Sequence, residues 1–103
     1  MTGYSERLAA ERRRAILSLL VQDGGRGNER VLFQALRGLG LGTGLEQAGV
    51  RELLLWLEQR GCLTTKMFDQ VMMVAEISDR GRLVLDGSLT LEGIATAWPS
   101  GAL

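Results

Sequence analysis

The sequence predicts a mainly α domain that carries a small β-hairpin. Three observations predict it. Two glycine clusters, at 24–27 and 38–44, separate three segments whose apolar residues recur at helical spacing. After Gly61 the rhythm changes to residues that favour strands, over 63–67 and 71–77. With 103 residues, 46% of them apolar and 23% charged, the chain can build one core and is too short for two domains.

The elements follow in order. A first helix is expected over 5–22, with Ser5 as N-cap and Glu6 at the positive end of the helix dipole. Leu8, Ala9, Ile16, Leu19 and Leu20 share one side of it; Arg7, Glu11, Arg14 and Ser18 share the other. Asp23-Gly24-Gly25 stops it. A second helix is expected over 29–37, with Asn28 as cap, Gly38 as stop and an apolar stripe of Val31, Leu32, Ala35, Leu36 and Leu39. The third is the best signalled. Thr43-Gly44-Leu45-Glu46 has the form of a capping box, Val50, Leu53, Leu54 and Leu57 form the buried face, and Arg60-Gly61 closes the helix. Phe68-Asp69-Gln70 turns between the two strands. Ser78 caps a short helix that runs to about Asp86 and stops at Gly87. Residues 1–87 then make the domain, and 88–103 a tail that contains Leu89, Leu91, Ile94 and Trp98 and is broken by Pro99. Three helices, a two-stranded wing and a short C-terminal helix form the winged helix-turn-helix arrangement.

Composition narrows the chemistry. Twelve Lys and Arg balance twelve Asp and Glu, so bulk charge does not indicate a freely basic nucleic-acid binder. The chain has no His, which removes the commonest general base and metal ligand. Its single Cys62 permits no internal disulfide and no thiolate cluster, and reads as a small core residue. The run Gly38-Leu39-Gly40-Leu41-Gly42-Thr43-Gly44 lacks the dinucleotide-fingerprint spacing and reads as an inter-helix turn. Asp69, Glu76, Asp79 and Asp86 fit no calcium loop. No enzyme activity, cofactor or metal is expected. No apolar run approaches the roughly 20 residues that cross a bilayer, and the start lacks a secretion signal, so the expected location is the cytoplasm.

The basic run Arg12-Arg13-Arg14 spreads over about 200° of a helix, so its members cannot share one contact. Arg12 is expected to lay its stem over the core edge and pair with a carboxylate; a phosphate contact and a dimer contact remain alternatives. The outward face of the third helix carries Ala48, Arg51, Glu52, Leu55 and Gln59, with Gln47 and Glu58 at one edge and Trp56 at the other. Arg51 and Gln47 can read base edges, and Lys66 is the only cation of the wing. Arg26, Asn28, Gln47, Arg51 and Lys66 are therefore the candidate DNA contacts. A positive stripe joining Arg51, Lys66 and Arg26 would favour that use. Against it, Glu52 and Glu58 would face phosphates, and Leu55 and Trp56 are suited to protein contact. The tail residues Leu89, Leu91, Ile94 and Trp98, with Leu17 and Val21 of the first helix, are surplus apolar groups that a two-fold homodimer would bury; the competing reading is that the tail folds back and covers its own domain.

Residues 55–63, Leu-Trp-Leu-Glu-Gln-Arg-Gly-Cys-Leu, resemble the end of a recognition helix entering a wing. Residues 77–82, Ile-Ser-Asp-Arg-Gly-Arg, resemble the segment that follows the wing in many winged-helix regulators. With residues 11–17 and with Leu91-Glu92-Gly93-Ile94, the chain over about 5–94 resembles the small winged-helix, ArsR-like proteins of Mu-like transposable bacteriophages and prophages. That resemblance implies double-stranded DNA as partner and a role in transcription regulation inside a bacterial host. The alternative is a winged-helix module for contact with a phage protein in assembly or DNA packaging. Metal-sensing ArsR proteins carry paired cysteines on the recognition helix, and this helix has none.

Overall fold

The computed structural model describes residues 3–96. Four helices and one three-stranded antiparallel sheet follow in the order α1 (Tyr4–Gln22), β1 (Arg26–Asn28), α2 (Glu29–Gly38), α3 (Gln47–Gln59), β2 (Leu63–Phe68), β3 (Met72–Ile77) and α4 (Asp79–Leu85). The sheet order is β1-β3-β2. Its inner side and the three long helices enclose Ile16, Leu17, Leu20, Leu32, Leu36, Val50, Leu54, Leu57, Leu63 and Ala75.

A two-stranded wing was expected, and β1 is the strand that the sequence conceals. Arg-Gly-Asn has no apolar alternation, yet Arg26, Gly27 and Asn28 pair with Glu76, Ala75 and Val74. The left-handed Gly24 and Gly25 turn the chain out of α1, and the Ile77 amide donates to the Gly25 carbonyl at 2.8 Å. A Cβ at Gly27 would lie 3.3 Å from Leu20, so the missing side chain lets the strand lie close against α1.

Other local expectations divide. Asn28 caps α2 by accepting from the Val31 amide at 2.9 Å, and Ser78 caps α4 by accepting from Gly81 at 3.0 Å. Ser5 does not cap α1; it lies in the first turn, one residue inside a helix that begins after Gly3. Nor does the capping box form. α3 starts at Gln47 with Glu46 as its N-cap residue and no side-chain cap, while Arg12 holds the Thr43 carbonyl from outside at 2.6 Å. In α2, Leu32 and Leu36 are buried, but Val31 and Leu39 stand half-exposed because the stripe is only two residues wide. Phe68 ends β2 rather than opening the turn. Asp69 and Gln70 take left-handed backbone angles, and Val71 belongs to the turn rather than to β3.

Part of the surplus apolar set finds its cover inside the chain. Leu17 is fully buried and Ile94 is 6% exposed, while Leu89 and Leu91 pack half-buried against the same core. The Ala95 amide donates to the Ala10 carbonyl at 3.1 Å, so the segment after α4 lies along α1. Of the tail residues expected at an interface between chains, Ile94 is taken into this domain's own core, and Leu89 and Leu91 are covered by it in part. Val21 is 37% exposed, and Trp98 lies outside the described residues. Among the described residues, no helix is long and apolar enough to cross a membrane.

Leu57 is fully buried on α3. Leu57→Ala is expected to lower the unfolding free energy by about 2–5 kcal/mol. Urea denaturation measures this, and a loss below about 1 kcal/mol would contradict the place of Leu57 in the core.

Candidate interaction face on the third helix and the hairpin

The face is organised by one buried carboxylate. Glu29 occupies the first turn of α2, where the helix N-terminus favours an anion, and is 1% exposed. A charge taken that far out of water must be paired and hydrogen-bonded. Arg51 of α3 supplies a two-pronged bond: its Nε donates to Oε1 at 3.0 Å and its terminal nitrogen to Oε2 at 2.6 Å. The Met73 amide of β3 donates to Oε2 at 2.5 Å. The Arg51 hydrogen bonds hold the Glu29 carboxyl below the ordinary carboxylate range; burial opposes this, and Met73, the Arg51 charge and a Gln47 hydrogen bond reinforce it. Reciprocally, the Glu29 hydrogen bonds raise the Arg51 guanidinium.

The arginine expected to read bases is therefore drawn into the fold. Its side chain remains 38% exposed, and the terminal nitrogen that meets Glu29 also reaches the Val71 carbonyl at the hairpin turn, at 3.4 Å. At the other end of the same helix face, Glu58 accepts from the Thr65 amide at 2.9 Å and from its hydroxyl at 2.7 Å. Glu58 was expected to face phosphates; it lashes the hairpin to α3. Leu55 lies between these two tethers, one turn after Arg51, and is 42% exposed. Met67, Phe68 and Val71 of the hairpin are exposed as well.

The remaining DNA candidates do not gather there. Arg26 pairs with Glu76 at 3.2 Å, both well exposed. Strand register sets Asn28 and Lys66 on either side of Val74, on the outer sheet face that also carries Arg26. Asn28 spends its side-chain oxygen on the α2 cap, and Gln47 bonds to Glu29. Lys66 is exposed, and among the described residues no carboxylate pairs with it. The stripe joining Arg51, Lys66 and Arg26 is thus interrupted: two of its three cations are already neutralised within the chain.

Trp56 leaves the exposed set too. Arg13 stacks on its ring at 3.9 Å from the centroid and Arg60 at 3.6 Å. Gly93, in the left-handed region, presses so close that a Cβ there would sit 2.7 Å from the indole. The expectation that Arg12, Arg13 and Arg14 diverge is met, and each finds backbone carbonyls rather than a carboxylate. Arg12 donates to Leu41 at 2.7 Å, Arg13 to Gly93 at 2.8 Å and Arg14 to Leu85 at 3.1 Å. Arg13, Arg60 and Gly93 were not singled out as a group, because three positions so far apart in sequence share no local pattern. Cys62 is buried, and burial pushes its thiol pKa up, as suits a core residue. Among the described residues, no cluster of three metal-ligating side chains occurs. No family model, curated protein or solved structure matches the chain.

Arg51→Met would leave the Glu29 carboxylate buried without its fork. The expected result at neutral pH is a fall in Tm of more than about 10 °C. The effect also carries a sign with pH. Glu29 titrates below its unfolded value in the native chain, so its contribution is complete above that value and fades as pH falls through the folded pKa. The gap between native and variant should therefore narrow from pH 7 toward pH 3. Circular-dichroism melts across this range check it, and a gap independent of pH would contradict the pairing.

Proposed function

We propose that this chain is a winged-helix binding module whose α3–hairpin face engages a protein partner. The order α1-β1-α2-α3-β2-β3, with the hairpin held beside α3, supports the winged-helix reading. One observation carries the choice of partner. The only arginine on the outward face of α3 is consumed by Glu29, whereas the exposed groups around it include Leu55, Met67, Phe68 and Val71. Protein interfaces deplete charge and concentrate apolar and aromatic side chains at their centre. A duplex-binding surface instead needs several free cations, and each phosphate contact weakens with salt.

A second reading rests on a different observation. Residues 5–94 resemble the phage winged-helix regulators, and Arg30 and Lys66 are exposed on α2 and the hairpin. In that reading the module is a DNA-binding regulator that leans on these two cations. Such a protein would act inside a bacterial host.

Two measurements separate the readings. Anisotropy titration with a random-sequence duplex at physiological salt is expected to give a Kd no tighter than about 10⁻⁴ M. A photo-crosslinker placed at Phe68 is expected to capture a protein from a host lysate, with capture lost in Leu55→Glu and retained in Lys66→Glu. Micromolar or tighter duplex binding, abolished by Arg30→Glu with Lys66→Glu and untouched by Leu55→Glu, would replace the protein reading by the DNA one.

A further inference from the structure

We propose that the trough between α1 and α2 seats a second copy of this chain, related by a two-fold axis that runs along the trough. This surface is distinct from the α3–hairpin face. The two helices run antiparallel: Leu19, Gln22 and Asp23, at the end of α1, lie beside Val31 and Ala35, at the start of α2. Further along, Glu11 and Ala15 lie beside Leu39 and Leu41. Two depressions, of about 270 and 250 Å³, share Leu19 and Gln22 and so form one trough.

The α2 bank is an apolar ridge. Val31, Ala35 and Leu39 recur every four residues, over about 12 Å of helix. Val31 is 50% exposed and Leu39 58% exposed. Leu89, Leu91 and Ile94, expected to meet a second copy, pack against this domain's own core, whereas Val31 and Leu39 do not. A ridge beside a trough on one surface is self-complementary, because each copy can fill the trough of the other.

The charges select a second copy and its orientation. Glu11 and Asp23 border the trough from α1, one at each end. The last turn of α1 has no basic residue, so the negative end of the helix dipole adds to Asp23. On α2, exposed Arg30 precedes Val31 and exposed Arg37 lies near Leu39; seven residues apart, they share one flank of the helix. Among the described residues, none of these four forms an ion pair. Arg14 also borders the trough, but it donates to the Leu85 and Ala95 carbonyls. An axis along the trough lays α1 of each copy on α2 of the other with the ends in register. Asp23 then meets Arg30 of the second copy and Glu11 meets its Arg37, each pair twice. An axis across the trough would set α1 on α1 and α2 on α2, with like charges opposed, which is disfavoured.

Sedimentation equilibrium of the whole chain tests this. At about 20 µM the expected mass is twice the 11.2 kDa of one chain, with a Kd at or below about 10 µM. Leu39→Asp charges the ridge outside the core and is expected to weaken the dimer at least about tenfold, with the fold intact by circular dichroism. Asp23→Arg opposes two arginines and is expected to weaken it by about as much. Adding Arg30→Asp should restore the Kd to within about threefold, and both changes suit the helix ends on which they fall. Leu55→Glu should leave the mass unchanged. A monomer at about 100 µM overturns the proposal, whether the trough is then bare or covered by this chain's own residues. So does a dimer that withstands Leu39→Asp, or one that Leu55→Glu abolishes, which would seat the second copy on the α3–hairpin face. A dimer unaffected by Asp23→Arg, or not recovered by Arg30→Asp, overturns it as well.

Discussion

Everything near α3 depends on the requirement that the Glu29 carboxylate, once out of water, be fully paired. Its two oxygens receive donors from α3 and β3, and its own position is fixed by the first turn of α2. One side chain thus sets the distances among three elements that are far apart in sequence. Truncating either member strands the other, whereas an apolar pair of matching volume could fill the same space. The pair therefore constrains geometry more than it adds stability. It also decides the chemistry of the surface above it, because the guanidinium that would face a ligand is held by the interior.

The tail is fixed by a different device. Arginine is unusual in offering five donors on a long apolar stem, so one residue can cover a helix surface and still satisfy a distant carbonyl. On α1 three of them in succession do this in three directions, toward the 41–43 loop, Gly93 and Leu85. Carbonyls that would otherwise lack partners in irregular segments are satisfied in this way. The segment after α4 is drawn along α1, and Ile94 closes the core there. The basic excess of the first helix is consequently structural in part, which accounts for its distance from the hairpin.

Much of the fold was legible from local pattern. Periodicity located the three long helices, and Asn28, Ser78 and Gly61 were read correctly as cap or stop, because capping is decided within a few residues. β1 was not legible: three polar residues become a strand only when β3 arrives to pair with them. The capping box failed because Gly44, which would have been the first helical residue after a Thr43 cap, takes a left-handed backbone angle, and α3 starts only at Gln47. At the candidate face, exposure of Leu55 followed from helical phase. The engagement of Arg51 did not, because Glu29 lies in a different element and a single acidic residue at a helix start looks like an ordinary dipole partner. Trp56 sits at the edge of a helical stripe, where sequence cannot say whether solvent or a returning tail covers it.

The bond from Glu58 to the Thr65 amide has a consequence for how a partner can approach. β2 is an outer strand, and such a strand ordinarily offers its main chain as a template for another. Here a carboxylate from α3 occupies the amide in the middle of that edge, and the Thr65 hydroxyl completes the plug. Continuous main-chain pairing along β2 would have to displace a charged group that already makes two good bonds. Recognition by strand addition is thereby disfavoured along this edge. In the proposed protein-binding role, selectivity at the hairpin would fall to the exposed Leu55, Met67 and Phe68, and the same plug shields the sheet from stacking edge to edge with its own kind.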